Sequence, residues 1–125
     1  MKQRIVIPAD LSSSPYAFEV SAAMILAKYF RQDVEFIRRA SSSTPDVRIG
    51  NVQWEIKSPT GNGKRTIQHQ IHRALKQSHN IVFDARKIKL RITKVRTDLR
   101  NVAQTNTSIK RLILIEKDEK AIIIK

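Results

Sequence analysis

Asp46, preceded by Pro45, and Glu55 and Lys57, nine and eleven residues further along, are the side chains whose types and spacing suit phosphodiester chemistry. Between them lies Val47-Arg48-Ile49-Gly50-Asn51-Val52-Gln53-Trp54, in which Gly50-Asn51 supplies the central pair of a two-residue turn whose first position needs a positive φ. The hairpin so predicted pairs Ile49 with Val52, Arg48 with Gln53, Val47 with Trp54 and Asp46 with Glu55. Strand side chains alternate between faces, so Glu55 and Lys57 share one face while Val52, Trp54 and Ile56 occupy the other. Two carboxylates opposed in an antiparallel pair lie about 4.5–5.5 Å apart at Cβ and repel, and a divalent cation or a raised pKa relieves the repulsion. The same pattern also fits a solvated hairpin whose polar face carries two acids and a lysine.

A phosphodiester resists attack because it is itself negatively charged. Magnesium, or manganese, held by Asp46 and Glu55 with the Ile56 carbonyl as a third donor offsets the charge that develops on the phosphate. Lys57 serves better as an electrostatic positioning group than as a base, because a free lysine titrates near 10.4, at about the reference value. The absence of cysteine excludes thiolate metal sites, thiol catalysis and disulfides, and it leaves hard oxygen donors and histidine. His69 and His72 are three residues apart without the H-E-x-x-H pattern, which disfavours zinc.

At 125 residues the chain is expected to form one domain, 1–125, and needs no covalent staple. Twenty-four Lys and Arg against eleven Asp and Glu give a net charge of +13, which favours a polyanion, nucleic acid first. The basic side chains are spread along the sequence rather than lining one amphipathic helix, so a membrane surface is not the expected partner. No apolar run reaches 18 residues, and Ile5-Val6-Ile7 before Pro8 is too short for a signal-peptide core. The chain is therefore expected to be a soluble domain, which is compatible with its being cut from a longer secreted protein.

The elements that must position the acids follow from periodicity. Lys2 to Pro8 fits a leading strand or arm, and Ser12-Ser13-Ser14-Pro15 fits a helix entrance opening a helix from about Tyr16 to Arg31. Phe18, Ala22, Ile25, Leu26, Tyr29 and Phe30 give that helix a broad apolar arc, with Glu19 inside it. Glu19 is either a first-turn acid favoured by the helix dipole or a further carboxylate for the site. Val34 to Arg38 reads as a strand, followed by the polar connector Ser41-Ser42-Ser43-Thr44 and the hairpin. Ser58 to Arg65 is a loop whose Lys64 and Arg65 are placed to meet phosphates. Its Gly61-Asn62-Gly63-Lys64 run is no nucleotide-binding loop, since Ser58 stands where the first glycine is required and Arg65 where a hydroxyl is required.

Thr66 is the expected cap of a second helix to about Ser78, burying Ile67, Ile71, Ala74, Leu75 and Ser78. Gln68 and His72 fall at the edge of that stripe, suiting either boundary packing or substrate contact, and Arg73 adds a cation beside them. Asn80 to Asp84 reads as a buried parallel strand, and the segment from about Ile92 as a third, basic helix. Arg111 to Glu116 and Ala121 to Lys125 flank Lys117-Asp118-Glu119-Lys120 as a terminal hairpin. Of the seven aromatic residues, none marks a base-stacking platform.

Pro-Asp, a hairpin and Glu-x-Lys in this order resemble the PD-(D/E)xK nuclease signature. Trp54-Glu55-Ile56-Lys57-Ser58-Pro59 is similar to its form in the C-terminal toxin domains of CdiA contact-dependent inhibition proteins, and the likeness extends from about Tyr16 onward. The resemblance implies an α+β, restriction-endonuclease-like core, a mixed central sheet flanked by helices, here with an added C-terminal hairpin. It implies a magnesium-dependent endonuclease with Asp46, Glu55, Lys57 and Glu19 as catalytic residues, Glu19 joining Asp46, Glu55 and Ile56 at the metal. It favours tRNA as substrate, and a DNA endonuclease or a non-catalytic basic nucleic-acid-binding module are the other readings. Some branches of the superfamily place a glutamine of the following helix beside the catalytic strand, which Gln68 would match, although the aromatic residue expected four positions later is His72. A toxin further implies a cognate immunity protein, delivery as the C-terminal part of a larger secreted or surface protein, and action in the target-cell cytoplasm.

Overall fold

The computed structural model describes residues 3–9 and 15–125. Ten elements follow in order: β1 (Ile5–Val6), α1 (Ala17–Phe30), β2 (Val34–Phe36), β3 (Val47–Ile49), β4 (Val52–Lys57), α2 (Thr66–Ala74), β5 (Asn80–Asp84), α3 (Ile92–Thr105), β6 (Arg111–Ile115) and β7 (Ala121–Ile123). The strands form one seven-stranded sheet in sequence order. β1 and β2 are parallel, β2–β3 and β3–β4 antiparallel, β4–β5 and β5–β6 parallel, and β6–β7 antiparallel. Each parallel neighbour is reached through a helix, as parallel crossovers require. The sheet is mixed, as predicted, and the C-terminal hairpin is present.

Alternation along the strands divides the core in two. Val34, Phe36, Val47, Ile49, Trp54, Ile56, Val82, Ile113 and Ile115 pack on α1, whereas Ile81, Phe83, Leu112 and Leu114 pack on α2 and α3. α1 meets its face through Ala22, Ala23, Leu26 and Ala27, with Met24 and Tyr29 largely exposed. Ile25 and Phe30 of the predicted arc also pack against that face, half-buried, whereas Tyr29 turns outward. Alanines allow close approach of helix and sheet, and the larger side chains go to the rim. Arg31 ends the helix with φ 56°, and its N–H donates to the Ala27 carbonyl.

The hairpin register is as predicted for Ile49–Val52, Arg48–Gln53 and Val47–Trp54. Gly50 turns the chain at φ +60°, the first central position that needs a positive φ. The ladder does not continue to a regular Asp46–Glu55 pair. The Asp46 N–H donates to the Trp54 carbonyl at 3.1 Å, and the Ile56 N–H donates to Asp46 Oδ2 at 2.8 Å. A side-chain oxygen thereby replaces a backbone carbonyl in the ladder.

Other boundaries differ from expectation. α2 ends at Ala74, and tighter i to i−3 bonds, Lys76 to Arg73 and Gln77 to Ala74, carry the chain to Ser78. Thr66 is the first helical residue, not the cap, which is Arg65 without a side-chain bond. β2 stops at Phe36 and β7 at Ile123. The serine entrance Ser12-Ser13-Ser14 and Lys2 lie outside the described residues. No helix among the described residues is long and apolar enough to cross a membrane.

Candidate active site

β4 and β5 run parallel and end side by side, Lys57 paired with Phe83, so the side chains at their carboxyl ends converge. Glu55 pairs with Ile81 and shares its face, on the side of α2 and α3. It is 3 % exposed, and its Oε2 meets the Lys57 ammonium at 3.2 Å. Its other oxygen, Oε1, is buried with no hydrogen-bond donor. Asp46 approaches from the start of β3, within hydrogen-bonding reach of Glu55, and Arg39 lies 3.7 Å from Asp46 Oδ1.

The electrostatics follow from burial. Desolvation pushes the Glu55 carboxyl up to about 8 from its usual 4.5, reinforced by the charge of Asp46 and opposed by Lys57. Burial also raises Asp46, against the donated Ile56 N–H, the Glu55 hydrogen bond and the cations Arg39 and Lys57. Without a cation, the pair therefore holds a proton to higher pH than free carboxylates do.

Glu19 makes the first-turn bond foreseen for it, and it does not group with Asp46 and Glu55 as a third metal-ligating side chain. Its Oε1 accepts the Tyr16 N–H at 2.9 Å, tying the first turn of α1. It is also half-buried, raised chiefly by that burial and further by the charge of Asp46. The helix acid thus feels the charge of Asp46.

The remaining candidates are not bonded to this centre. Lys64 and Arg65 are exposed on the loop that leaves β4 directly after Lys57. Gln68, His72 and Arg73 are exposed on α2, and none has a hydrogen bond or ion pair to Asp46, Glu55 or Lys57. An open cleft of about 760 Å³ lies at the opposite ends of β4, β5 and β6, beside Gln53, Asn80 and Arg111, and holds none of the carboxylates.

Three residues, Arg39, Asp84 and Arg86, were not singled out from sequence. Arg39 faces Asp46, and its signal was the Arg38-Arg39 pair at the end of a strand. Asp84, 1 % exposed at the end of β5, receives a two-pronged bond from Arg86 at 2.9 and 2.8 Å and the Ser58 hydroxyl at 3.1 Å. Arg86 also reaches the Ser21 hydroxyl at 2.6 Å and the Phe18 carbonyl at 3.3 Å, fastening α1 to the end of β5. An acid closing the apolar run Ile81-Val82-Phe83 was the available signal, since ligands gather where parallel strands end.

The donor set fits a hard divalent cation. Two carboxylates meet, and one buried oxygen has no donor, the condition a cation would satisfy. Among the described residues no three His, Cys, Asp or Glu side chains group as metal ligands, so backbone carbonyls and water would complete the shell.

One consequence concerns stability. Glu55 titrates near 4.5 when unfolded and about 8 when folded, so its contribution is fully present below pH 4.5 and is lost as pH rises through 8. The raised Asp46 and Glu19 act in the same direction. In chelator, the melting temperature should therefore fall from pH 5 to pH 8.5, and magnesium should restore part of the loss at the alkaline end. A Glu55→Gln protein that shows an equally steep decline would contradict this assignment.

A seven-stranded mixed sheet with α1 on one face and α2 and α3 on the other has a counterpart among solved structures. It is similar to a chain of the CdiA-CT/CdiI toxin and immunity complex from Burkholderia pseudomallei, with a TM-score of 0.72 and 18% identity over 96% of this chain and 98% of that one. No curated protein sequence matches the chain. The sequence pattern of the contact-dependent growth inhibition CdiA C-terminal domain matches residues 43–121, well over half of the chain and including Asp46, Glu55 and Lys57. The chain belongs to that family.

Proposed function

We propose that this domain is a metal-dependent endonuclease, the toxic C-terminal part of a contact-dependent inhibition protein, and that its substrate is RNA, tRNA in preference. The observation that carries the reading is the buried Asp46–Glu55 pair beside Lys57, with Glu55 Oε1 lacking a donor. An acid pair raised toward neutrality is costly to keep empty and suits a site where a cation and a phosphate meet. Magnesium held by Asp46, Glu55 and the Ile56 carbonyl would supply Lewis-acid stabilisation of the phosphate charge.

The chain's own groups do the rest. Lys57, held against Glu55 at 3.2 Å, is released toward the phosphate when Glu55 is engaged elsewhere, and it offsets charge and positions the nucleophile. Arg39, more than half exposed, is placed to meet a phosphate oxygen near Asp46. Lys64 and Arg65 extend the positive surface along the loop after β4. The net charge of +13 supports a polyanionic substrate, and the tRNA preference rests on the family resemblance. That resemblance and the complex named above support a cognate immunity protein, an acidic one suiting this surface best, and action in the target-cell cytoplasm.

The test is incubation with total tRNA and with plasmid DNA, in magnesium or chelator. Discrete magnesium-dependent tRNA fragments support the proposal, DNA cleavage keeps the site and changes the substrate, and binding without cleavage sinks the enzyme reading. Lys57→Ala separates roles within the site. It should lower cleavage by about 10²-fold, as loss of one charge-stabilising donor does, while magnesium binding is retained or strengthened because the competitor for Glu55 Oε2 is gone. Loss of magnesium binding in Lys57→Ala, followed by calorimetry, would count against this division.

A further inference from the structure

Tyr16 is 70% exposed, yet its ring is not loose on the surface. It lies parallel to Phe18, with 5.6 Å between centroids and 6° between planes. The Phe18 ring also carries the Lys87 ammonium 3.8 Å from its centroid. The same short segment is fastened at two points, to Glu19 and through Arg86 to the end of β5. The Tyr16 N–H donates to Glu19, which feels the charge of Asp46, and the Phe18 carbonyl accepts from Arg86, whose guanidinium grips Asp84 beside Ser58. With Phe18 covering one face of the tyrosine ring, an exposure of 70% leaves the other face open to solvent.

A flat, solvent-facing ring backed by a second ring that carries an ammonium over its own face, on the segment that holds Glu19, has the chemistry of a base-stacking seat. In a helical duplex the bases are already stacked on each other and hidden from such a ring. We infer that Tyr16, braced by Phe18 and Lys87, stacks an unpaired base next to the phosphate being cut, so that the site takes single-stranded or locally unpaired nucleic acid. The inference rests on the proposed nuclease reading and deepens it by naming the substrate's form. It also revises the expectation that no stacking platform exists. The signal in the sequence was Tyr16-x-Phe18, of which Phe18 was assigned to helix packing and Tyr16 only marked the start of the helix.

The experiment separates stacking from cleavage. Glu55→Gln protein in chelator is titrated into a single-stranded ribo-oligonucleotide carrying 2-aminopurine, and into the same strand annealed to its complement. Quenching of the 2-aminopurine on binding of the single strand is the expected result. Adding Tyr16→Ala should weaken single-strand binding by roughly 5- to 150-fold and remove the quenching, whereas Tyr16→Phe should keep both. Duplex binding should be unchanged by either. Because Tyr16 is exposed, unaltered melting of the variants is the accompanying check on folding.

Equal single-strand binding with and without Tyr16, equal losses on single strand and duplex, or no binding of either form would each overturn the inference. A parallel assay keeps Glu55 and adds magnesium. Cleavage there, with the KM for the single strand unmoved by Tyr16→Ala, overturns the stacking seat and leaves the nuclease standing. Tyr16-dependent quenching without any cleavage does the reverse.

Discussion

Glu55→Gln is expected to lower magnesium-dependent cleavage by at least about 10³-fold, equivalent to ~4 kcal/mol of transition-state stabilisation, while the sheet stays folded. The substitution keeps the side chain's length and volume at a position only 3% exposed, so packing against Ile81 is preserved. What it removes is the ability to become an anion. A glutamine can still accept from Lys57 through its amide oxygen, and its amide NH2 can donate to Asp46. The metal-free protein should therefore be as stable as the parent at pH 5 and more stable at pH 8, where the parent's Glu55 begins to carry a buried charge. Magnesium should raise the melting temperature of the parent and not of the variant. Activity and metal-linked stability are lost together in this prediction, unlike Lys57→Ala, which separates them. A fully active Glu55→Gln enzyme would end the metal-site proposal.

The hairpin was legible because its information is local. Gly50 must turn with a positive φ, and the alternation of Val52, Trp54 and Ile56 against Glu55 and Lys57 admits one register that keeps the apolar set inside. The parallel strand Asn80–Asp84 was readable from its apolar run, and the third helix from Ile92 from helical spacing, although Ile88, Leu90 and Ile92 also alternate as a strand would. The sequence was silent where contacts join distant segments. Arg86 is bonded to Ser21 and Phe18, 65 and 68 residues away, and no periodicity within Arg86 to Arg100 singles it out from its basic neighbours. Asp46 was placed opposite Glu55 by counting, but its carboxylate's bond to the Ile56 N–H breaks the ladder and brings the two acids together by a different route. α2 ended early because Leu75 to Ser78 could tighten into i to i−3 turns, leaving the Ser78 hydroxyl to bond the Gln53 carbonyl at the start of β4.

Arg86→Ala should destabilise the domain by about 3–5 kcal/mol, the cost of breaking a buried ion pair by removing one partner. Asp84 is 1% exposed and would keep only the Ser58 hydroxyl and the residue-86 backbone N–H as donors, too little to solvate a full charge. For a domain of this size that loss corresponds to a fall in melting temperature of roughly 10–20 °C. The double variant Asp84→Ala with Arg86→Ala should be less damaged than the sum of its two single changes, because neither partner is then left alone. An additive double variant, or an Arg86→Ala protein that melts with the parent, would show that the pair is not the clamp described here. The same guanidinium holds the Ser21 hydroxyl and the Phe18 carbonyl, so its loss frees the first turns of α1 from β5. Glu19 and Tyr16 ride on that part of the chain. Residual activity of Arg86→Ala, measured well below its melting temperature, should accordingly fall further than that of an equally destabilised core variant such as Leu99→Ala, whose buried side chain packs between α3 and the far face of the sheet.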